Sequence, residues 1–210
     1  MNSSSSSLEY FEFLRRCSLG VLDTLGLQSE PLPLDTILGQ LQPKLDNSEA
    51  YLLSFGAVPK PEPANARVPI SSGVGLNSVG MLVDRLTILF IREWCLINKG
   101  RPNPEKAQAI YDQQTRDIMI ALSEARPGSS ALNSKLTHLK GEAKATNWLQ
   151  AYYGLFATNV LLWEAQEILY TRDIRQLPPE ELRSYITWFA YGNMRRNEYI
   201  QMCEEYYWRS

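Results

Sequence analysis

The segment SVGMLVDRLTILFIREWCLIN, residues 78–98, decides how the rest of the chain is read. Its apolar residues fall nearly all round a 3.6-residue helix, which is the mark of a helix buried at the centre of a bundle. Ser78 is a candidate N-cap, and Gly100 stands just past the predicted end at about Asn98. Asp84, Arg85, Arg92 and Glu93 interrupt the run, so it is not a membrane span. Its predicted seam reads Met81, Asp84, Ile88, Ile91 and Cys95, with a carboxylate among apolar side chains.

Helical signals continue on both sides. Downstream, Asn103-Pro104 places a cap residue before a proline at the first helical position, and predicts a helix to about Arg126, stopped by Pro127-Gly128. A long helical segment is expected from about Ser130 to Tyr170, with Gly141 and Gly154 as candidate kinks. Pro178-Pro179-Glu180-Glu181 then starts a last helix running to about Trp208, with acids in the first turn to complement the helix dipole. Upstream, the serines Ser3 to Ser7 read as a frayed tail, followed by a helix from Leu8 to about Leu25 that Gly26 can end. Short helices are expected over Asp35–Leu41 and Ser48–Phe55. Pro59, Pro61, Pro63 and Pro69, followed by Ser71-Ser72-Gly73-Val74-Gly75, favour an extended strap. No stretch sustains the period-two alternation of a strand. The expected fold is all-α: a bundle of long helices with an N-terminal helical arm joined by a proline-rich strap. Its expected divisions are an arm over residues 1–56, a linker over 57–76 and a bundle over 77–210.

Composition narrows the chemistry. The chain has 210 residues, 44% hydrophobic and 21% charged, with a formal charge of -2. That near balance argues against nucleic-acid or membrane partners recruited by bulk charge. One histidine, His138, and three cysteines, Cys17, Cys95 and Cys203, are too few for a disulfide framework or a pair of zinc clusters. No cofactor is implied. The widely spaced cysteines suit a reducing compartment, and the serine-rich start lacks the charge and apolar run of a secretory signal, so a cytoplasmic location is expected.

The seams of the two C-terminal helices are informative. One reads Tyr152, Phe156, Asn159, Trp163, Gln166 and Tyr170; the other Leu182, Ile186, Phe189, Asn193, Arg196, Ile200, Cys203 and Tyr207. Each carries polar residues at its centre, like the Asp84 seam. A buried carboxylate needs a cationic or donor-rich partner. Arg196 is the natural one, with Asn159 and Asn193 to satisfy the remaining lone pairs. Two roles fit such a cluster. One is a closed polar network that fixes helix register; the other is the floor of a small-molecule pocket walled by Trp163, Tyr152 and Tyr170.

Other candidates are weaker. Glu164 and Glu167 lie three apart, near Asp173, and such a pair can hold Mg²⁺ or Mn²⁺ when a second acidic pair faces it; Glu204 and Glu205 are the candidates. Surface pairing with Arg172 or Arg175 is the plainer expectation. His138 sits in a basic amphipathic stretch and reads as an exposed helix residue. Cys95 and Cys203 fall on seam positions where burial makes a thiol inert. Gly73-Val74-Gly75 lacks the preceding strand of a phosphate loop. Tyr199, Tyr206, Tyr207 and Trp208, with Trp188 and Tyr191 off the seam, exceed one core face; the N-terminal arm or a partner would cover them.

Three short motifs also carry a resemblance. Leu82-Val83-Asp84-Arg85-Leu86-Thr87-Ile88-Leu89, then Asn159 with Leu162-Trp163, then Asn193-Met194-Arg195-Arg196, resemble segments of a small uncharacterised all-helical bacterial family. The likeness covers roughly residues 76 to 207. Members are often encoded near surface-polysaccharide glycosyltransferases, and no activity is established for them. The resemblance implies a helical fold and at most a pathway. It singles out Asp84, Asn159, Trp163, Asn193 and Arg196, and it does not extend to the arm or the strap.

The expected function is therefore a non-catalytic binding or accessory protein, engaging a protein partner or forming a homodimer. The alternatives are a pocket for an anionic metabolite such as a sugar nucleotide, and a metal-dependent phosphohydrolase using Glu164 and Glu167. An aspartate paired with arginine is a poor proton carrier near neutral pH, which argues against acid–base catalysis.

Overall fold

The computed structural model describes residues 3–26, 39, 43–44, 47–57, 64–65, 78–98, 103–125, 137–138 and 143–209. Six α-helices make up nearly all of these residues: α1 (Ser3–Thr24), α2 (Ser48–Leu53), α3 (Val79–Asn98), α4 (Pro104–Ser123), α5 (Trp148–Thr171) and α6 (Pro179–Tyr207). A 3₁₀ turn, Ser54–Ala57, continues α2, and another, Ile174–Gln176, precedes α6. The fold is all-α. Among the described residues the only strand pairing is a two-residue antiparallel ladder, Ala64 opposite His138 and Asn65 opposite Thr137.

Helix α3 is the central element, as its apolar surface predicts. It packs against α1, α4, α5 and α6, while α5 and α6 run together along their length. Its start is fixed twice. Ser78 Oγ accepts the amide of Met81 at 3.2 Å, and Glu204 of α6 accepts the amide of Gly80 at 3.0 Å. A negative group at the first turn satisfies orphan amides and complements the dipole.

The arm packs into the same core as the bundle. Tyr10 stacks on Trp94 of α3 at 4.9 Å, and Ser18, fully buried, accepts the hydroxyl of Tyr152 at 3.1 Å. Phe55 lies 4.7 Å from Trp188 and 5.7 Å from Tyr191, and Tyr51 lies edge-on to Trp188. The aromatic residues that fell off the predicted seam of α6 are thus covered by the arm.

Several boundaries differ from the sequence reading. The serines Ser3 to Ser7 are helical rather than a frayed tail; serine is only a middling helix former, so extending an existing helix through it costs little. Asn103 precedes α4 in a left-handed conformation and makes no side-chain cap; Pro104 alone marks the start. Helix α5 begins at Trp148 instead of near Ser130, because Asn147 Oδ1 caps the amide of Gln150 at 2.9 Å. His138 is accordingly on a strand, not a helix. The helix expected over Asp35–Leu41 lies outside the described residues apart from Gly39, and the strap does so apart from Ala64 and Asn65.

The seam of α6 is also shifted. Ile186 is 60% exposed and Asn193 is exposed, whereas Ser184, Tyr185, Trp188 and Gly192 are buried. Gly192 is where Leu162 of α5 comes closest; a Cβ there would lie 2.8 Å from Leu162 Cδ2. The missing side chain turns that face inward. Gly154 performs the same service for the Tyr199 ring within a continuous α5.

Among the described glycines the tightest approach joins α3 to α6, where a Cβ on Gly80 would run into the carbonyl oxygen of Ile200. Backbone cannot yield as a side-chain tip can. Gly80→Ala is therefore expected to lower stability by about 1–3 kcal/mol, read from urea unfolding. Ile186→Ala, at an exposed position, should stay within about 0.5 kcal/mol of the parent.

Candidate functional site

Three helices meet at Asp84. Its carboxylate, 3% exposed, is gripped by Arg196 of α6: Nε donates to Oδ1 at 2.7 Å and Nη2 to Oδ2 at 2.6 Å. Both bonds are charge-assisted and the fork is bidentate, the strongest form of this contact. From α5, Asn159 Nδ2 donates to Asp84 Oδ1 at 3.0 Å and to Thr87 Oγ1 at 2.8 Å. The Thr87 hydroxyl gives its own proton to the Asp84 carbonyl at 2.8 Å, which fixes the orientation of the Asn159 amide. Asn159 Oδ1 is then a buried acceptor with no donor among the described residues.

Asp84, Asn159 and Arg196 converge as expected; Asn193 does not. It is exposed and its Nδ2 donates back to the Phe189 carbonyl at 2.7 Å, because the turn of α6 that buries Gly192 points Asn193 outward. Thr87 takes the expected place of Asn193. Its signal in the sequence was its position, three residues after Asp84 and hence on the same side of α3. Trp163 is half-buried in the packing of α5, and its indole Nε1 is buried without a partner among the described residues.

An open pocket of about 420 Å³ adjoins the pair, but on the α3–α4 side. Arg85, Ile88, Leu89 and Arg92 of α3 form one wall, and Gln114, Asp117 and Ile118 of α4 the other. The Asp84–Arg196 pair closes the inner end. The expected aromatic walls lie elsewhere: Tyr152 is fully buried, Tyr170 is 81% exposed, and neither they nor Trp163 line the pocket. The cause is the direction of Asn159, which approaches Asp84 from α5 and fills that side. The sequence predicts α4 as a helix but gives no sign that it walls a pocket, since it is polar and buries only Leu122.

Gln108 Nε2 donates to Glu93 Oε1 at 2.9 Å and sets the register of α3 against α4. The two helices, joined by a short connection, run antiparallel. Counting back from that contact brings Asp117 level with Asp84, while Arg92 stands at the other end of the pocket.

Glu164 and Glu167 are half-buried on α5, and the facing acids are engaged elsewhere. Glu204 holds the Gly80 amide and the Trp208 indole, and Glu205 accepts from Gln201 at 2.8 Å. Among the described residues no group of three or more His, Cys, Asp or Glu is placed to hold a metal ion. No helix among them is long and apolar enough to cross a membrane. Comparison of the chain with family models, curated proteins and solved structures finds no match.

The thiols are quiet. Cys95 and Cys203 are buried; burial pushes the Cys203 thiol well above its ordinary value, helped by the charges of Asp84 and Glu204. Burial likewise pushes Cys17 up to about 12, with a smaller push from Glu93. Each is a neutral acid whose folded value is raised. The folded state then keeps protons that the unfolded chain releases, so each contribution is complete below the ordinary thiol value of 9.0 and is lost as pH climbs through the raised value, about 12 for Cys17.

Three outcomes are expected. The melting temperature should fall as pH rises above about 9, less steeply in Cys203→Ala, as read by circular dichroism across a pH series. Arg196→Met should cost about 3 kcal/mol, the low end for a broken buried pair because Arg196 is partly in solvent. Adding Asp84→Leu to it should recover part of that loss in denaturant unfolding, since no buried charge is then stranded.

Proposed function

We propose that this is a non-catalytic binding protein that takes an anionic small molecule in the pocket between α3 and α4. The observation that carries the reading is the state of Arg85 and Arg92. Both line the pocket, both are exposed, and neither is held by an ion pair or hydrogen bond among the described residues. They stand seven residues apart on one face of α3, about 10 Å along the axis. Unengaged guanidinium groups in a concave site are suited to phosphate or carboxylate.

Binding is favoured over catalysis because Asp84 spends both oxygens on Arg196 and Asn159. A small molecule is favoured over a protein partner or a second copy because much of the C-terminal aromatic surplus is taken up internally. Trp188 and Tyr191 pack on Phe55, and the Tyr206 hydroxyl donates to the Ala145 carbonyl at 2.9 Å. The free thiols of Cys17, Cys95 and Cys203 suit a cytoplasmic setting.

Thermal denaturation with phosphate, pyrophosphate and citrate, each matched for ionic strength with sodium chloride, tests the reading. A saturating rise in stability is expected, about 2.7 kcal/mol at a hundred times the dissociation constant. Arg92→Gln should abolish the rise while leaving the unliganded melting temperature unchanged. A flat response to all three anions in the parent protein would sink the idea.

A further inference from the structure

We infer that the ligand is a phosphorylated polyhydroxy compound of the sugar phosphate class, bound with its phosphate towards Arg92 and its hydroxyls towards Asp117 and Gln114. This rests on the anion-binding reading above and sharpens it.

The pocket is polar in an uneven way. At its inner end Asp84 and Asp117 stand level with each other, together with Arg196 and Arg85, so that end is formally neutral. Two carboxylates there oppose a phosphate. Arg92 stands about a heptad away along α3, beyond Ile88 and Leu89, and is the cation least offset by an acid of the pocket. An anionic group is therefore directed to the Arg92 end.

The inner end asks for hydrogen-bond donors. Asp117 is exposed and accepts one bond, from Gln113 Nε2 at 2.7 Å, leaving acceptor capacity on its carboxylate. The Gln114 side chain makes no hydrogen bond among the described residues and offers both a donor and an acceptor. Hydroxyl groups, which donate and accept, match this pair. An ammonium group matches it less well, because Arg85 and Arg196 already place two cations at that end. Between the two ends, Ile88, Leu89 and Ile118 present apolar surface for the C–H face of a polyol. Among the described residues no aromatic ring lines the pocket, so none of them stacks on a nucleobase there. That separates the inference from the sugar nucleotide expected from the sequence.

Isothermal titration of the full chain with inorganic phosphate, a panel of hexose and pentose phosphates, the unphosphorylated sugars, O-phosphoethanolamine and uridine diphosphate tests it. At least one sugar phosphate should bind ten times or more tighter than inorganic phosphate, and the free sugars should bind far more weakly. Asp117→Asn, which keeps an acceptor for Gln113, should weaken that sugar phosphate about tenfold while leaving inorganic phosphate unchanged or tighter. Arg92→Gln should weaken both. If Asp117→Asn tightens the sugar phosphate along with phosphate, or if no sugar phosphate exceeds phosphate, the class is wrong though the anion site stands. Tighter binding of O-phosphoethanolamine or uridine diphosphate than of any sugar phosphate would overturn it in the same way. Should phosphate and every phosphorylated compound fail to bind, the anion-binding reading falls as well.

Discussion

The carboxylate of Asp84 lies inside the protein, and it has to be matched there. A lone buried charge costs several kcal/mol even after relaxation, and a bidentate arginine with further hydrogen bonds is the arrangement that offsets it. Arg196 must consequently sit at one height on α6 and Asn159 at one height on α5. A shift of either helix by one turn would strand the charge. Apolar contacts alone tolerate such sliding far better, because burial is non-directional. The polar contact supplies direction where the hydrophobic core supplies most of the free energy.

Close backbone approach makes that arrangement reachable. Gly80 brings α3 against α6 beside Ile200, and Gly154 and Gly192 let Tyr199 and Leu162 close the α5–α6 contact. Two other buried acids extend the same logic. Glu204 ties α6 to the first turn of α3, and Glu198 accepts the Ala143 amide at 2.6 Å, anchoring the segment that leads into α5. Helix α6 thus presents charged groups along its length to the ends and middle of its neighbours, so its rotation is tightly specified.

The pocket follows from what this core leaves over. Arg196 is committed inward, and its exposed edge forms the inner wall of a cleft whose remaining cations, Arg85 and Arg92, come from the outer face of α3. Helix α4 packs on that face but is largely polar and buries only Leu122, and a cleft remains between the two helices. Burial divides the arginines: the engaged one holds the helices, and the unengaged ones face solvent.

The sequence by itself determined the helical class, the central place of residues 78–98 and the ends of α3 and α6, and it singled out Asp84, Asn159 and Arg196 as groups that need one another. These depend on local signals, namely apolar periodicity, capping residues and the need of a buried charge for a partner. Only the tertiary structure decided which face of α6 turns inward, that Thr87 replaces Asn193, that α5 starts at Trp148, and that the pocket opens towards α4 instead of Trp163 and Tyr152. The physical reason is the same in each case. Helix rotation is set by how closely neighbours can approach, at Gly192 under the Leu162 side chain and at Gly80 beside the Ile200 carbonyl, and the position of a cleft is set by how much of the facing helix is left unburied. Neither quantity is a property of any one stretch of chain.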